Sequence, residues 1–564
     1  FHVVPDSLDA ALEHLESQGD SDILPPAFEI SAIRHGWDWL KPFLVESDLD
    51  VWRTGALRQC LAPKQGLGLR LATQLDPLDA LLTTAIVIQS GQKLEAARLP
   101  PEDAIVHSYR FDSGLPNGRL FRSDFSFTSF RDRSLELAKD AGFVLLTDIS
   151  DFYPRVYIHR VENSLRAALQ PTDDAARVLI KLFSQWNQSI SYGLPVGMAA
   201  FRLIAEVTIS DVDQALAAEG FQFCRYSDDF RIFTANESDA RAALAFLAKT
   251  LAENHGLTLQ AAKTEIVTAE EFLDRFSWSE QAQEMSSMQA NLAALLNKMG
   301  LDSYDLPSFS RLPESLISEL KEVNVWRLLE EQFGEEHPDL RTIRFALRQI
   351  AWSELPDEDC LILDHIAKID SLFADAIWAS TSNRHLEADE ISALGTRLFA
   401  LLKSPVFGHL EFFRAWVLSV FAEDPRWDHV QEVQAQHRLN ADSFTRSAAA
   451  LALGGSGADH WFRTRRSQLS LMDPWERRAF LAGAVCLPKD ERKHWYASVG
   501  PGLNKLETAV VDWAKTNPIP LRSRVLPNVS ERSASDLPAP SVEPPALDEF
   551  APRQSGDTDI DIPF

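Results

Sequence analysis

Strand and helix patterns alternate over residues 143–270, and this alternation limits the fold more than any other feature of the chain. Phe143 to Leu146 form an apolar run with the length of a buried strand, and a helical pattern follows it. The segment "FQFCRYSDDFRIFTA", residues 221–235, is apolar with a period of two on both sides of an aspartate pair, which predicts a β-hairpin. A helical pattern from about 238 to 255 comes next. We expect an α+β domain with helices on one side of a small sheet.

The rest of the chain divides by pattern. Upstream, residues 78–99 predict a helix and "AIVHSYRF", residues 104–111, predicts a strand. From about 281 to 520 the strand patterns end and helix-length segments recur, which favours either a stacked array of helical hairpins or a single helical bundle. Residues 521–564 are rich in Pro, Ser and Asp and have no pattern that could bury a core, so we expect them to be disordered.

Composition excludes several classes of protein. The chain has 564 residues, of which 45% are hydrophobic, so it is long enough for two to four domains at roughly 100–200 residues each. A formal charge of −27 argues against a protein that coats duplex DNA, and any nucleic acid would need a local basic groove. The four dispersed cysteines lack a CxxC pair and indicate reduced thiols in a cytosolic protein. We expect no membrane span and see no leader segment.

Three aspartates are the strongest candidates for chemistry. Asp228 and Asp229 would lie at the apex of the predicted hairpin, and Asp148 directly follows the predicted strand. If these strands are neighbours, three carboxylates converge, and such a cluster is unfavourable unless cations compensate it. Oxygen ligands select Mg²⁺ or Mn²⁺ over zinc, and two such ions can stabilise the attacking and leaving oxygens of a phosphoryl transfer. The alternative is a solvated turn whose carboxylates bind nothing.

Four motifs occur in a characteristic order: "DISDFY" (148–153), "GLPVG" (193–197), "YSDD" (226–229) and "GLTLQAAKTE" (256–265). The set resembles the palm domain of reverse transcriptases. With the helical C-terminal part, the chain looks most like bacterial abortive-infection and defence-associated reverse transcriptases, the unknown-group enzymes with a C-terminal helical-repeat domain. The resemblance implies an α+β fingers and palm domain followed by an all-α, HEAT-like repeat domain. The implied divisions are an N-terminal helical region with the start of the fingers (1–84), fingers and palm (85–280), the α-helical repeat domain (281–520) and an acidic, disordered tail (521–564).

The resemblance also implies a role for each motif residue. The metal ligands are Asp148, Asp228 and Asp229, together with the backbone carbonyl of Ile149, and Lys263 either contacts phosphate or donates a proton to departing pyrophosphate. Tyr153 takes the position of the aromatic gate that excludes a ribose 2′-hydroxyl. The remaining residues expected to bind substrate are Phe152, Pro195, Val196, Gly197 and Tyr226.

Two positions depart from the family pattern. Val196 stands where retroviral enzymes usually carry a glutamine that contacts nucleotide and template. Phe201 stands where the defence-associated group usually has a small hydroxyl residue, and it would reshape a template groove. Nucleotide addition is therefore better supported than templated copying.

Two further residues have open alternatives. Arg110, in a predicted fingers hairpin, would bind triphosphate oxygens or would be an ordinary surface arginine. Tyr496 would supply a hydroxyl that primes synthesis or would be a half-buried aromatic residue of a helix.

The expected activity is that of a nucleotidyltransferase. The resemblance implies an RNA-directed or template-independent DNA polymerase that uses two Mg²⁺ ions, with Mn²⁺ as a substitute, to add dNTPs to a 3′-hydroxyl or a protein hydroxyl. It further implies a DNA product, an RNA template or noncoding RNA, a homo-oligomer, a phage-encoded trigger, and antiphage defence in the bacterial cytoplasm. The alternatives are a catalytically silent palm that senses nucleic acid or a phage protein, and another palm enzyme such as a nucleotide cyclase.

Overall fold

The described part of the chain comprises ten segments of a computed structural model. They are residues 1–64, 68–116, 118–169, 173–187, 190–276, 325–336, 338–353, 360–382, 386–423 and 427–516. The tail predicted to be disordered, 521–564, lies outside them, as does the first part of the predicted repeat domain. Among the described helices, none combines the length and the hydropathy that a membrane span requires.

In the described part of the N-terminal half, six strands are interspersed among helices. In chain order the elements are α1 (Pro5–Gln18), α2 (Glu29–His35), α3 (Trp37–Glu46), β1 (Arg58–Pro63), β2 (Leu69–Gln74), α4 (Pro77–Ala96), α5 (Phe127–Ala138), β3 (Phe143–Asp148), α6 (Phe152–Arg155), α7 (Ile158–Leu169), α8 (Ala175–Asn187), α9 (Ala199–Thr208), α10 (Ser210–Ala218), β4 (Gln222–Tyr226), β5 (Asp229–Thr234), α11 (Glu237–His255), β6 (Glu265–Thr268) and α12 (Ala269–Phe276). Strands β1 and β2 form an antiparallel hairpin of their own.

The central sheet has the strand order β4–β5–β3–β6, with antiparallel neighbours throughout. Successive side chains along each strand point to opposite faces of the sheet, and both faces are buried. Leu145 and Ile232 belong to a core that includes α11, whereas Val144 and Phe233 pack with α5 and α12 on the opposite face. The predicted hairpin and the predicted strand at 143–146 are confirmed. The expectation of helices on one side was wrong, because α5 and α12 cover the second face.

Two local predictions also need correction. The hairpin turn consists of Ser227 and Asp228, and Asp229 is already the first residue of β5, so the two aspartates do not share the apex. Residues 104–111 do not form a strand. They run beside β4 through a single parallel bridge between Val106 and Arg225, in which Arg225 N–H donates to Ile105 O at 2.8 Å.

The described C-terminal elements are helical. They are α13 (Val325–Gly334), α14 (Leu340–Ser353), α15 (Leu361–His365), α16 (Phe373–Thr381), α17 (Ala388–Lys403), α18 (Glu411–Glu423), α19 (Val430–Leu439), α20 (Ser443–Gly455), α21 (Asp459–Arg465), α22 (Pro474–Gly483), α23 (Lys489–Val499) and α24 (Lys505–Thr516). Helices α14, α16, α18, α20, α22 and α24 pack side by side in that order, and α13, α15, α17 and α19 each pack on the helix that follows. The helices range from 5 to 16 residues and share no sequence period, so the HEAT-like repeat domain stays a prediction.

The C-terminal helices dock on the N-terminal half. Their core is continuous with Phe28 and with Cys60 and Ala72 of the β1–β2 hairpin. Two indole N–H groups cross the contact: Trp416 donates to Ile23 O at 3.2 Å and Trp475 donates to Ala56 O at 2.7 Å.

Candidate active site

The sheet brings the three aspartates together. Asp148 is the last residue of β3 and pairs directly with Asp229, the first residue of β5. Residues opposite each other in an antiparallel pair place their side chains on the same face, so these two carboxylates share one face. Asp228 precedes Asp229 in the turn, and its carbonyl accepts the N–H of Ile149 at 3.1 Å. The strand ends thus place all three aspartates and Ile149 at one end of the sheet.

Burial and neighbouring carboxylates raise the pKa values of Asp228 and Asp229. Burial, and then the charge of Asp148, raises the pKa of Asp228 to about 6. Burial, and then the charges of Asp228 and Asp148, raises the pKa of Asp229 to about 7. Both shifts mean that the negative forms lack sufficient compensation in the protein alone.

The side chain of Lys263 compensates part of this charge. Its Nζ donates to Asp148 Oδ2 at 2.7 Å. Burial opposes the charge on Lys263, but the hydrogen bond to Asp148 and the nearby Asp229 and Asp228 raise its pKa overall. Lys263 therefore lies at the aspartate cluster, as the motif resemblance implied, and contacts it through Asp148.

Carboxylate oxygens are the donor atoms that divalent magnesium or manganese prefers. Three carboxylates offer oxygen ligands, and a divalent cation would remove the repulsion that raises the pKa values of Asp228 and Asp229. Within the described segments, no three His, Cys, Asp or Glu side chains are grouped as a metal site, and Asp148 is paired with Lys263. The predicted two Mg²⁺ ions stay a prediction.

The raised pKa of Asp229 predicts a pH-dependent gain in stability on its removal. A carboxyl whose pKa is higher in the folded than in the unfolded state favours folding at low pH, and this contribution is lost as pH rises from about 4 to about 7. With divalent cations chelated, Asp229→Asn should therefore raise the free energy of unfolding by about 1–3 kcal/mol at pH 8 and by less at pH 5. Thermal melts at both pH values measure this, with the exposed Asp151→Asn as control. An equal effect at both pH values would contradict the electrostatic explanation.

Aromatic side chains of the first and third motifs pack on neighbouring rings. The ring of Tyr153 packs on Phe152 with 5.3 Å between centroids, and burial raises the pKa of Tyr153 well above its ordinary value. The ring of Tyr226 packs on Tyr109 at 5.9 Å and on Phe127 at 5.6 Å. Burial raises the pKa of Tyr109 as well, and the charge of Asp228 adds a smaller contribution to the raised pKa values of both Tyr109 and Tyr153.

The loop of the second motif is fixed between two segments. The carbonyl of Val196 accepts Thr73 N–H of β2 at 2.9 Å, and the carbonyl of Gly197 accepts Asp22 N–H at 2.9 Å. Gly197 has a φ of 125°, and a Cβ there would lie 2.7 Å from Ser21 Oγ, so glycine is required. Pro195 is buried beside them. Leu194 N–H donates to Tyr153 O at 2.9 Å, which joins this loop to the first motif.

Burial decides three positions that the sequence singled out. For Tyr496 it confirms the alternative of an aromatic residue packed in a helix, for Arg110 it contradicts both alternatives, and for Phe201 it contradicts a place in a groove. Arg110 is 1% exposed; its Nη1 donates to Glu95 Oε1 at 2.8 Å and to Leu99 O at 2.9 Å, so it does not face a triphosphate. Tyr496 is 4% exposed, its hydroxyl donates to Leu481 O at 2.6 Å, and burial raises its pKa, so the hydroxyl cannot prime synthesis in this conformation. Phe201 packs on Phe183 and Trp186 in the core and does not line a groove.

Sequence reasoning missed two cations near the site. Lys64 follows β1 at the end of the β1–β2 hairpin. Burial and Asp148 raise the pKa of Asp228, and the charge of Lys64 opposes part of that rise. Arg202, on α9, pairs with Asp22 and lies 5.1 Å above the ring of Tyr109. A basic residue in the turn between two short strand-like runs was the signal that could have identified Lys64.

A family model described as "Reverse transcriptase (RNA-dependent DNA polymerase)" matches residues 102–299. The chain carries a reverse transcriptase domain. The match contains the three aspartates, Tyr153 and Lys263, and it covers less than half of the chain. Lys64 and the described C-terminal helices lie outside the residues that define this reverse transcriptase domain.

Comparison with solved structures gives weaker similarity. Apo telomerase from Candida tropicalis is 13% identical, with a TM-score of 0.30, over 74% of this chain and 69% of that chain. Telomerase from Candida albicans with a fragment of telomeric RNA is 12% identical, with a TM-score of 0.28, over 67% and 69%. These values are too low to carry a functional argument. No curated protein matches the chain.

Proposed function

We propose that the protein is a DNA polymerase of the reverse transcriptase type, which adds dNTPs to a 3′-hydroxyl or to a protein hydroxyl. The observation that carries the proposal is the pairing of Asp148 with Asp229 beside Asp228, inside the reverse transcriptase domain. The proposal includes three modes of synthesis: on an RNA template, on a noncoding RNA, or without a template.

Each residue of the site has a role in this proposal. Asp148, Asp228, Asp229 and the Ile149 carbonyl would hold two Mg²⁺ ions, which when bound stabilise negative charge on the attacking and leaving oxygens. Lys263, which donates to Asp148, would contact phosphate. Lys64 supplies a second positive charge near Asp228, and this charge suits a triphosphate.

Incubation of the purified chain with Mg²⁺ and labelled dNTPs tests the function. Parallel reactions contain a primed RNA template, a primed DNA template or no nucleic acid, and denaturing gels are run with and without protease. A ladder of extended product supports the polymerase, and label that protease releases from protein supports protein priming. A cyclic nucleotide product from a single NTP would support the cyclase instead. Absence of product in every reaction would overturn the proposed activity.

Tyr153, as the proposed gate, should select dNTP over rNTP. In this proposal the ring of Tyr153, which packs against Phe152, lies beside the sugar of the incoming nucleotide. Tyr153→Val should raise the efficiency of rNTP incorporation relative to dNTP by about tenfold or more, since losing one steric clash is worth upward of 1.4 kcal/mol. Competition between dNTP and rNTP measures this ratio. The exposed Tyr157→Val is the matched control, and an unchanged ratio in the Tyr153 variant would remove the gate assignment.

The alternative of a silent palm has one observation in its favour. Lys263 already neutralises Asp148, so the cluster is partly compensated without further cations. A silent palm would bind nucleic acid without extending it, and Asp228→Asn would leave that binding unchanged. Extension in any reaction above excludes this alternative.

We extend the proposal to antiphage defence in the bacterial cytoplasm, on the strength of the motif resemblance. A homo-oligomer and a phage-encoded trigger belong to the same proposal. Expression in a phage-sensitive bacterium tests it: the intact chain should reduce plaque formation, and Asp229→Asn should restore it. Equal plaque counts for the intact chain and an empty vector would contradict the defensive role.

A further inference from the structure

A buried network of charged residues lies beneath the catalytic turn. Arg225 of β4 donates to Asp213 Oδ1 at 2.7 Å and to Glu206 Oε2 at 2.9 Å, and Arg98 donates to the same Glu206 oxygen at 3.0 Å. The side chains of Arg225, Glu206, Asp213 and Arg98 are at most 1% exposed. Ser108 Oγ donates to Glu206 Oε1 at 2.7 Å and completes the network.

The network ends on both backbone polar groups of Ser227. Ser227 N–H donates to Ser108 Oγ at 2.9 Å, and Ser227 C=O accepts Arg225 Nη1 at 2.7 Å. Ser227 has a φ of 55°, a left-handed conformation that is strained for a residue other than glycine. Asp228 follows it directly, so the conformation of Ser227 sets the direction of the next carboxylate.

The same network holds a second strained residue beside the site. Arg98 donates to Ser108 O at 2.7 Å and to Tyr109 O at 2.8 Å, and Tyr109 has a φ of 47°. Tyr109 packs on Tyr226, the residue before Ser227. Two left-handed residues next to the aspartates are thus fixed by one set of buried ion pairs.

Burial of these charges is poorly explained by stability alone. Two carboxylates and two guanidinium groups are taken out of water, and apolar residues of similar volume often stabilise a core as well or better. What apolar residues cannot do is donate to Ser227 O and accept from Ser227 N. The hydrogen bonds to the turn are therefore the feature that distinguishes this cluster from an ordinary core.

We propose that Ser108, Glu206 and Arg225 are positioning residues that hold Ser227 in its left-handed conformation, and so hold Asp228 in place for metal binding. This inference rests on the proposed function. It predicts that glycine at position 227, which adopts this conformation without strain, reduces the need for the network.

The test is a rescue experiment with two readouts, Mn²⁺ binding by calorimetry and steady-state dNTP incorporation. Ser108→Ala removes the acceptor for Ser227 N–H and leaves every ion pair intact; we expect Mn²⁺ affinity and kcat to fall about tenfold, with KM for dNTP little changed. Adding Ser227→Gly to the Ser108→Ala variant should restore much of the Mn²⁺ affinity and much of kcat. Glu206→Gln should behave in the same way if it folds. Ser134→Ala, a buried serine bonded to Phe130 O, is the matched control.

The outcomes separate the two proposals. Loss of Mn²⁺ affinity without rescue by Ser227→Gly would overturn the positioning role and leave a purely structural network. Wild-type affinity in Ser108→Ala would overturn it as well. If the intact chain binds Mn²⁺ but incorporates no nucleotide, the proposed polymerase fails, and the Mn²⁺ titrations still decide whether the network positions Asp228.

Discussion

Replacement of both Asp228 and Asp229 by asparagine should reduce nucleotide incorporation on the order of a thousandfold or more, because charge stabilisation at such a site is worth several kcal/mol. Asparagine keeps the shape of the side chain but loses the charge that would balance a divalent ion. Burial and the charges of neighbouring carboxylates raise the pKa values of both residues, so the fold does not depend on their negative charge. Incorporation rate and melting temperature, measured on the same preparation, separate loss of chemistry from loss of fold.

Asp151→Asn is the matched control for that experiment. Asp151 belongs to the same "DISDFY" motif as Asp148, its side chain is 56% exposed, and its φ is 46°. Asparagine tolerates this left-handed conformation as well as aspartate does, so the substitution tests the loss of a nearby charge without backbone strain. The expected results are full activity in Asp151→Asn and a loss of about a thousandfold or more in the double variant. Retained incorporation in the double variant would remove the aspartates from the catalytic machinery.

Periodicity predicted the sheet because burial on a strand alternates with position. The run ending at Asp148 and the hairpin around 227–228 both follow this rule, and their adjacency then brings Asp148 to Asp229. The turn itself was misplaced by one residue. Hydrophobic pattern marks which residues are buried but does not mark which residue adopts a positive φ, and here that residue is Ser227 rather than a glycine.

The errors in assigning function to single residues have a common cause. Sequence pattern does not reveal ion pairs between distant residues, such as Arg98 with Glu206, which are 108 positions apart. Arg110, in a predicted fingers hairpin, was expected either to bind triphosphate or to lie on the surface, yet Glu95 on α4 holds it in the core. Tyr496 was selected for its hydroxyl, and only tertiary packing shows that Leu481 O accepts it.

Replacement of Arg478 by methionine should destabilise the protein by about 3–5 kcal/mol, the usual cost of leaving a buried charge without its partner. Arg478 of α22 is 2% exposed. It donates to Glu29 Oε1 at 2.7 Å and to Asp76 Oδ2 at 2.9 Å, and so joins the C-terminal helices to α2 and to the start of α4. Methionine fills a similar volume, but it removes the guanidinium group and leaves the carboxylates of Glu29 and Asp76 buried without that partner. Urea unfolding measures the loss, and Arg466→Met, which breaks an exposed pair with Glu491, should cost less than about 1 kcal/mol.

The effect of Arg478→Met should extend to the active site. Asp76 caps α4 by accepting Leu78 N–H, and the preceding strand β2 donates Thr73 N–H to the carbonyl of Val196. Only a few residues therefore separate the contacts of Arg478 from the loop of the second motif, so loss of those contacts should also loosen this loop. Destabilisation with a matching fall in dNTP incorporation would mean that the C-terminal helices support the catalytic loop. Destabilisation with full incorporation at low temperature would mean that the reverse transcriptase domain holds that loop without them.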